Sequence, residues 1–181
     1  MDINKLKFTI LQLEILRFLF NRVGASFNQK NISDNLEVSP TAVSKSLELL
    51  KNENLIKVIK DPQSQTLVIE LNLDNPLVFQ LKRAENLKML YESGLPLMLD
   101  SAFPGATIIL FGSFSFGEDN KNSDIDIAII GSKQKSINLD KYEKMFSKEI
   151  ILQFYDDFSN IHKNLKESLL NGIILKGSVK L

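Results

Sequence analysis

The chain has 181 residues, 44% of them hydrophobic and 24% charged, the balance of a protein that buries a core, with room for one ordinary domain or two small ones. It contains no cysteine, which excludes disulfide frameworks, zinc fingers and thiolate metal centres and leaves oxygen or imidazole as the only metal ligands. Residues 1–75 carry 9 basic and 9 acidic side chains and residues 76–181 carry 13 of each. This neutrality argues against indiscriminate nucleic-acid binding, which depends on phosphate neutralisation.

The opening Met1-Asp2-Ile3-Asn4-Lys5 lacks the pattern of a signal peptide, and no apolar run approaches the roughly 18 residues of a membrane span, so a cytoplasmic protein without membrane contact is expected. The first helical period covers residues 8–20, with Ile10, Leu13, Leu16 and Phe20 as its expected buried stripe, and Gly24 follows as a stop. A second helix should hold Ile32 and Leu36. Val38-Ser39-Pro40-Thr41 then announces a third: Ser39 suits the N-cap, Pro40 the first helical position, and Val38 with Val43 a hydrophobic staple. Its inward residues would be Val43, Leu47 and Leu50. Residues 55–60 and 66–73 read as two strands joined by a polar turn at 61–65.

The run from Ile32 through Leu36-Glu37-Val38-Ser39-Pro40-Thr41-Ala42-Val43-Ser44-Lys45-Ser46-Leu47 to Asn54-Leu55-Ile56 resembles the helix-turn-helix of MarR-like and ArsR-like winged-helix regulators. That resemblance implies double-stranded DNA as a partner. The recognition helix would bring Thr41, Ser44 and Lys45 to bases and phosphates, with Lys57 and Lys60 near the wing. Such modules also serve in protein association, and charge neutrality keeps that alternative open.

Asp74-Asn75-Pro76 breaks the pattern and divides the chain into a domain at 1–75, a connecting helix at 76–94 and a second domain at 95–181. On the connecting helix, Leu77, Leu81, Ala84, Leu87 and Tyr91 share one side. Beyond it, a helix at 96–103, strands at 107–111, 124–130 and 150–154, a helix at 160–170 and an apolar end at 172–175 give an α/β texture. The expected fold is therefore α/β (α+β) in two domains, the second a small mixed sheet flanked by helices. His162, the single histidine, falls in a polar helix and reads as a surface residue.

Leu110-Phe111-Gly112-Ser113, followed after ten residues by Asp124-Ile125-Asp126-Ile127, is the most informative part of the sequence. A Gly-Ser step after a buried strand lets the backbone turn tightly and present N–H groups and a hydroxyl to a phosphate. Side chains two apart on a strand share a face, so Asp124 and Asp126 would stand about 6 to 7 Å apart at Cα and converge on one spot as ligands for Mg²⁺ (or Mn²⁺). Either feature alone is commonplace. Together, an Asp pair in an apolar strand and a phosphate-sized turn point to one site.

These residues resemble the signature of the DNA polymerase beta-like nucleotidyltransferase superfamily, and the short domain is similar to its minimal nucleotidyltransferases, which Gly117-Glu118 and Ser123-Asp124 also match. The resemblance covers about residues 95–177. It implies that Gly112 and Ser113 hold the triphosphate of a nucleoside triphosphate and that Asp124 and Asp126 hold catalytic Mg²⁺. The implied reaction is transfer of a nucleoside monophosphate to a hydroxyl with release of pyrophosphate. Two departures stand out. Members often carry an arginine between the Gly-Ser and the next glycine, where this chain has Phe114-Ser115-Phe116, and Lys121 is the candidate substitute. Active members usually add a third carboxylate from a later strand as general base; the strand at 150–154 has none, which leaves Glu149 at its start as the candidate, against a plain solvated strand-end carboxylate. A nucleotide sensor without transferase activity is accordingly the alternative to an enzyme.

One further expectation follows from charge. A neutral winged helix gains phosphate contacts by doubling, and Leu77, Leu81, Ala84, Leu87 and Tyr91, flanked by Lys82, Glu85, Lys88 and Glu92, form a candidate seam for a homodimer. The alternative is that this stripe packs on its own transferase domain.

Overall fold

The computed structural model describes residues 5–62 and 66–179. The chain divides into two compact units, Met1–Phe79 and Gln80–Leu181, with the boundary inside the first turn of the helix expected to connect them. No helix among the described residues is long and apolar enough to cross a membrane.

The first unit is three helices followed by a hairpin. Helix α1 (Ile10–Phe20) and helix α2 (Gln29–Leu36) each begin with a capping box, Thr9 with Gln12 and Asn28 with Asn31. Helix α3 (Pro40–Asn52) starts where the sequence marks it: the Ser39 side chain accepts from the Ala42 N–H, and Pro40 is the first helical residue. Strands β1 (Ile56–Lys60) and β2 (Leu67–Leu71) pair antiparallel with Val58 opposite Ile69. Asp61 N–H donates to the Thr66 carbonyl at 2.8 Å at the wing base, while turn positions 63–65 lie outside the described residues. Ile69 also bridges Phe27, which ties the segment before α2 to the hairpin.

Val43, Leu47 and Leu50 are buried as expected. Of the expected α1 stripe, Leu16 and Phe20 are buried but Ile10 and Leu13 are not. Ile10 is 72% exposed and Leu13 is also exposed, whereas Gln12, Ile15, Leu16 and Leu19 face inward. The capping box fixes Gln12 against Thr9, and residues at helical spacing from it define the buried face, turning positions 10 and 13 outward.

Helix α4 (Pro76–Ser93) runs from the end of the first unit into the second, and helix α5 (Leu95–Ala102) follows it at Gly94, whose φ of 77° ends one and starts the other. Then come strand β3 (Thr107–Phe111), the single-turn helix α6 (Gly112–Phe116), strand β4 (Ile125–Ile130), helix α7 (Asp140–Phe146) and strand β5 (Ile150–Tyr155). A 3-10 turn at Phe158–Asn160, helix α8 (Lys163–Leu170) and strand β6 (Ile173–Lys176) follow. Helix α7 has no counterpart in the sequence reading, and the exposed His162 is the N-cap of α8.

The four strands run in the order β5-β4-β3-β6, with β4 parallel to β5 and the other pairs antiparallel, so the sheet is mixed. Alternation sends Ile108, Leu110, Ile125, Ile127 and Ile129 to one face against Leu95, Leu99 and Phe103. Ile109, Phe111, Ala128 and Ile130 go to the other, against Phe158, Ile161 and Leu169. The central strands β3 and β4 are buried on both faces, as their continuous apolar runs require. Asp126 is the exception, and it lies at the start of β4, opposite the point where β3 turns into α6.

Candidate nucleotide site and DNA-reading face

Strand β3 ends opposite the start of β4: Phe111 pairs with Asp126 in the antiparallel register. The next residue, Gly112, has φ 72° and opens α6. A Cβ at Gly112 would lie 2.5 Å from Asp126 Oδ2 and 3.3 Å from its Cγ. The glycine is therefore required twice, by its left-handed backbone and by the carboxylate that occupies the space of a side chain. Ser113 follows, half-buried in the first turn of α6.

Asp124 is exposed and precedes β4, while Asp126 is half-buried within it. Burial, and then the negative charge of Asp124, push the Asp126 carboxyl above its ordinary range. Two carboxylates close enough to repel, one of them partly desolvated, form a donor set suited to a hard divalent cation such as Mg²⁺ or Mn²⁺. Glu149 is exposed, and its carbonyl accepts from Ile125 N–H at 2.9 Å, which sets it level with Asp124 beside the pair. Deeper along β5, Ile151 is level with Asp126 and Gln153 with Ala128, so the positions nearest the inner aspartate carry no carboxylate. Among the described residues no three acidic or histidine side chains gather as a metal cluster.

The loop from Gly117 to Ser123 joins α6 to β4, and its interior anchor is Asp119, only 3% exposed. Asp119 Oδ1 accepts from Lys82 Nζ and, at 2.7 Å, from Asn86 Nδ2, both on α4. Its Oδ2 meets Lys148 Nζ at 3.2 Å. Lys148 also donates to the carbonyls of Asn120 and Ser123, the latter at 3.2 Å, and Asn86 donates to the Phe114 carbonyl at 3.0 Å. Burial lowers the Lys82 ammonium pKa, with Asp119 opposing the shift. Three elements, α4, α6 and the approach to β5, are thus pinned to the loop that delivers Asp124. Lys121 lies on the exposed side of the same loop.

Lys82, expected as a charge flanking a seam, is instead 2% exposed and belongs to this network. The available signal was spacing: Val78, Lys82, Asn86 and Leu90 recur every four residues, so the two polar side chains share the face of two apolar ones.

On the first unit, Thr41, Ser44 and Lys45 are exposed on the N-terminal half of α3. Lys60 is exposed at the end of β1, whereas Lys57 is bonded to Asp74 at 2.5 Å, so part of its charge is already met within the chain.

Three helices and a two-stranded hairpin with an exposed third-helix face define a winged-helix unit, and a mixed sheet carrying a Gly-Ser turn beside an Asp-x-Asp strand defines a nucleotidyltransferase-type unit. Residues 103–179 match the family model described as Polymerase beta, Nucleotidyltransferase. No curated protein matches the chain in sequence. Among solved structures, a double-mutant form of Lactococcus lactis ZitR is similar at 23% identity and TM-score 0.40, covering 55% of this chain and 63% of its own. A single-mutant form of ZitR in complex with DNA gives 23% identity and TM-score 0.40, over 56% of this chain and 66% of that one. The S. aureus MepR–DNA complex gives 21% identity and TM-score 0.37, over 52% and 81%.

Proposed function

We propose that this protein is a DNA-binding nucleotidyltransferase: its first unit binds double-stranded DNA, and its second binds a nucleoside triphosphate with Mg²⁺ and transfers the nucleoside monophosphate to a hydroxyl. The observation that carries this reading is Asp126 Oδ2 lying where a Gly112 side chain would be. This proximity supports reading the phosphate-sized turn and the carboxylate pair as one site. Gly112 and Ser113 hold the triphosphate through backbone N–H groups and a hydroxyl, with a basic side chain, Lys121 or another, as the cationic contact. Asp124 and Asp126 hold the divalent ion, which when bound neutralises phosphate oxygens and favours departure of pyrophosphate. In the transfer, the acceptor oxygen bonds to the α-phosphorus, the bond to the β-phosphate oxygen breaks, and the hydroxyl proton passes to a base, for which Glu149 is the nearest carboxylate outside the pair.

A second reading is favoured by Ile151 and Gln153, which stand where a deeper third carboxylate would be: a regulator whose second unit senses a nucleotide without transferring it. Incubation with each labelled nucleoside triphosphate and Mg²⁺ or Mn²⁺ separates the two. Release of pyrophosphate with label transfer supports the enzyme, binding without turnover supports the sensor, and no binding by wild type removes both. Asp126→Asn should abolish metal-dependent binding in either case.

A further inference from the structure

Arg83 is the single arginine of the second unit. It stands on α4, half-buried, with its guanidinium carbon 5.8 Å from the centroid of the Phe116 ring, within the range of a cation–π contact. Phe116 ends α6, three residues after Ser113 and four after Gly112, so the three share a helical face. The Arg83 guanidinium is thus set against the single-turn helix that Gly112 and Ser113 open. The placement is fixed from both sides. Lys82, the preceding residue, is paired with Asp119, and Asn86, three residues on, bonds to Asp119 and to the Phe114 carbonyl inside α6 itself.

The nearby cations differ in their availability. Lys82 and Lys148 are both engaged by Asp119, and Lys88 lies between Glu85 and Glu92. Arg83 has no carboxylate partner among the described residues. A guanidinium is a planar fork of five N–H donors matched to phosphate oxygens, and an aromatic platform orients it without neutralising it.

We propose that Arg83 donates to the triphosphate of the nucleotide bound at Gly112–Ser113, supplying from α4 the cation that no residue between 114 and 116 provides, with Phe116 as its platform. The proposal rests on the nucleotide-binding reading above. Arg83, and not Lys121, is then the principal cationic contact.

The test measures Mg²⁺-dependent binding of each of the four common nucleoside triphosphates, and of the monophosphate of whichever binds best, to the full chain. Arg83→Gln should weaken the triphosphate by about 10- to 100-fold, the range of a charge-assisted hydrogen bond, and change the monophosphate much less. Arg83→Lys should recover part of the loss, and Lys121→Gln should do little. A loss of structure would weaken both ligands alike, so the ratio of triphosphate to monophosphate affinity is the deciding readout. Wild-type binding abolished by Asp126→Asn but unchanged by Arg83→Gln would overturn the role of Arg83 and leave the site standing. So would a larger loss in Lys121→Gln. No triphosphate binding by wild type would overturn the site and Arg83 together.

Discussion

Lys82 donates to Asp119 with both side chains sealed from solvent, and Lys148 approaches the same carboxylate from its other oxygen. One buried anion therefore serves two ammonium groups, and the three residues are unequal in what their loss exposes. Asp119→Asn strands two buried cations and should destabilise the second unit by about 3 to 5 kcal/mol, the usual penalty for an uncompensated buried charge. Lys82→Met leaves Asp119 with Lys148 and Asn86 and replaces an ammonium by an apolar group of similar length, so its effect should be clearly smaller. Urea unfolding of the two variants checks the order; equal losses would mean that Asp119 does not organise the cluster.

Asp126 makes stability depend on pH in the opposite sense from an ordinary paired carboxylate. Its folded-state pKa is raised above 3.8 by burial and by Asp124. Between the unfolded and folded values the native state holds the additional proton, so stability falls as pH rises through that window, and the penalty stays in full above it. In the presence of a chelator, Asp126→Asn should therefore be more stable than wild type near neutral pH, with the difference gone below 3.8. Added Mg²⁺ should stabilise wild type alone. Thermal unfolding across this range, with and without the ion, reads both effects. An Asp126→Asn variant less stable than wild type at neutral pH would contradict the argument.

Glu149 provides a kinetic prediction. It is level with Asp124 but one residue before β5 and in solvent, so it reaches the site only from its rim. If it takes the hydroxyl proton, Glu149→Gln should lower the transfer rate by about 100-fold or more while leaving triphosphate affinity unchanged. An unchanged rate would assign Glu149 to the solvated surface.

Much of this arrangement was legible in the sequence because local rules governed it. Ser39-Pro40 marks the start of α3 through its own capping chemistry, and the continuous apolar run of β3 ending at Gly112-Ser113 marks a buried strand and a tight turn. What stayed hidden depended on tertiary context. The Lys82–Asp119 pair joins residues 37 positions apart, and neither one differs locally from a solvated charge. The buried face of α1 departs from its apolar stripe at its first turn, where the polar Gln12 is buried at its capping box while the apolar Ile10 is not. Arg83 carries no local signal for the same reason: its platform, Phe116, belongs to a helix distant in sequence.

On the winged-helix unit, the exposed side chains of α3 divide by expected role. Lys45 is a long cation suited to phosphate, whereas Thr41 and Ser44 carry hydroxyls suited to base edges. Lys45→Ala should weaken binding to all duplex sequences alike and lower the magnitude of the logarithmic salt slope by about one. Thr41→Ala should instead reduce the preference for one sequence over another. Fluorescence anisotropy with a selected site and a random duplex, over a series of salt concentrations, separates the two. A salt slope unchanged by Lys45→Ala would remove it from the DNA face.

The connecting helix leads to the last prediction. Its buried face is Val78, Lys82, Asn86 and Leu90, which leaves the stripe of Leu77, Leu81, Ala84, Leu87 and Tyr91 turned elsewhere. Leu77 is 45% exposed and Tyr91 51%, Ala84 is exposed, and Leu81 and Leu87 are half-covered. Leu77, Ala84 and Tyr91 are thus open to solvent, and the near-heptad spacing of the stripe suits a second copy of the same helix. Two copies would also answer the charge problem of a neutral DNA-binding unit, because paired recognition helices on half-sites about one turn of DNA apart combine their phosphate contacts. The expected state is a homodimer through α4 that binds a palindromic site, with affinity falling steeply as salt rises. Leu81→Lys places a charge in the middle of the seam and should yield a folded monomer with markedly weaker palindrome binding. Sedimentation of wild type and variant, with DNA binding measured on both, tests each step. A wild-type protein that is monomeric at micromolar concentration and still binds DNA would rule the dimer out.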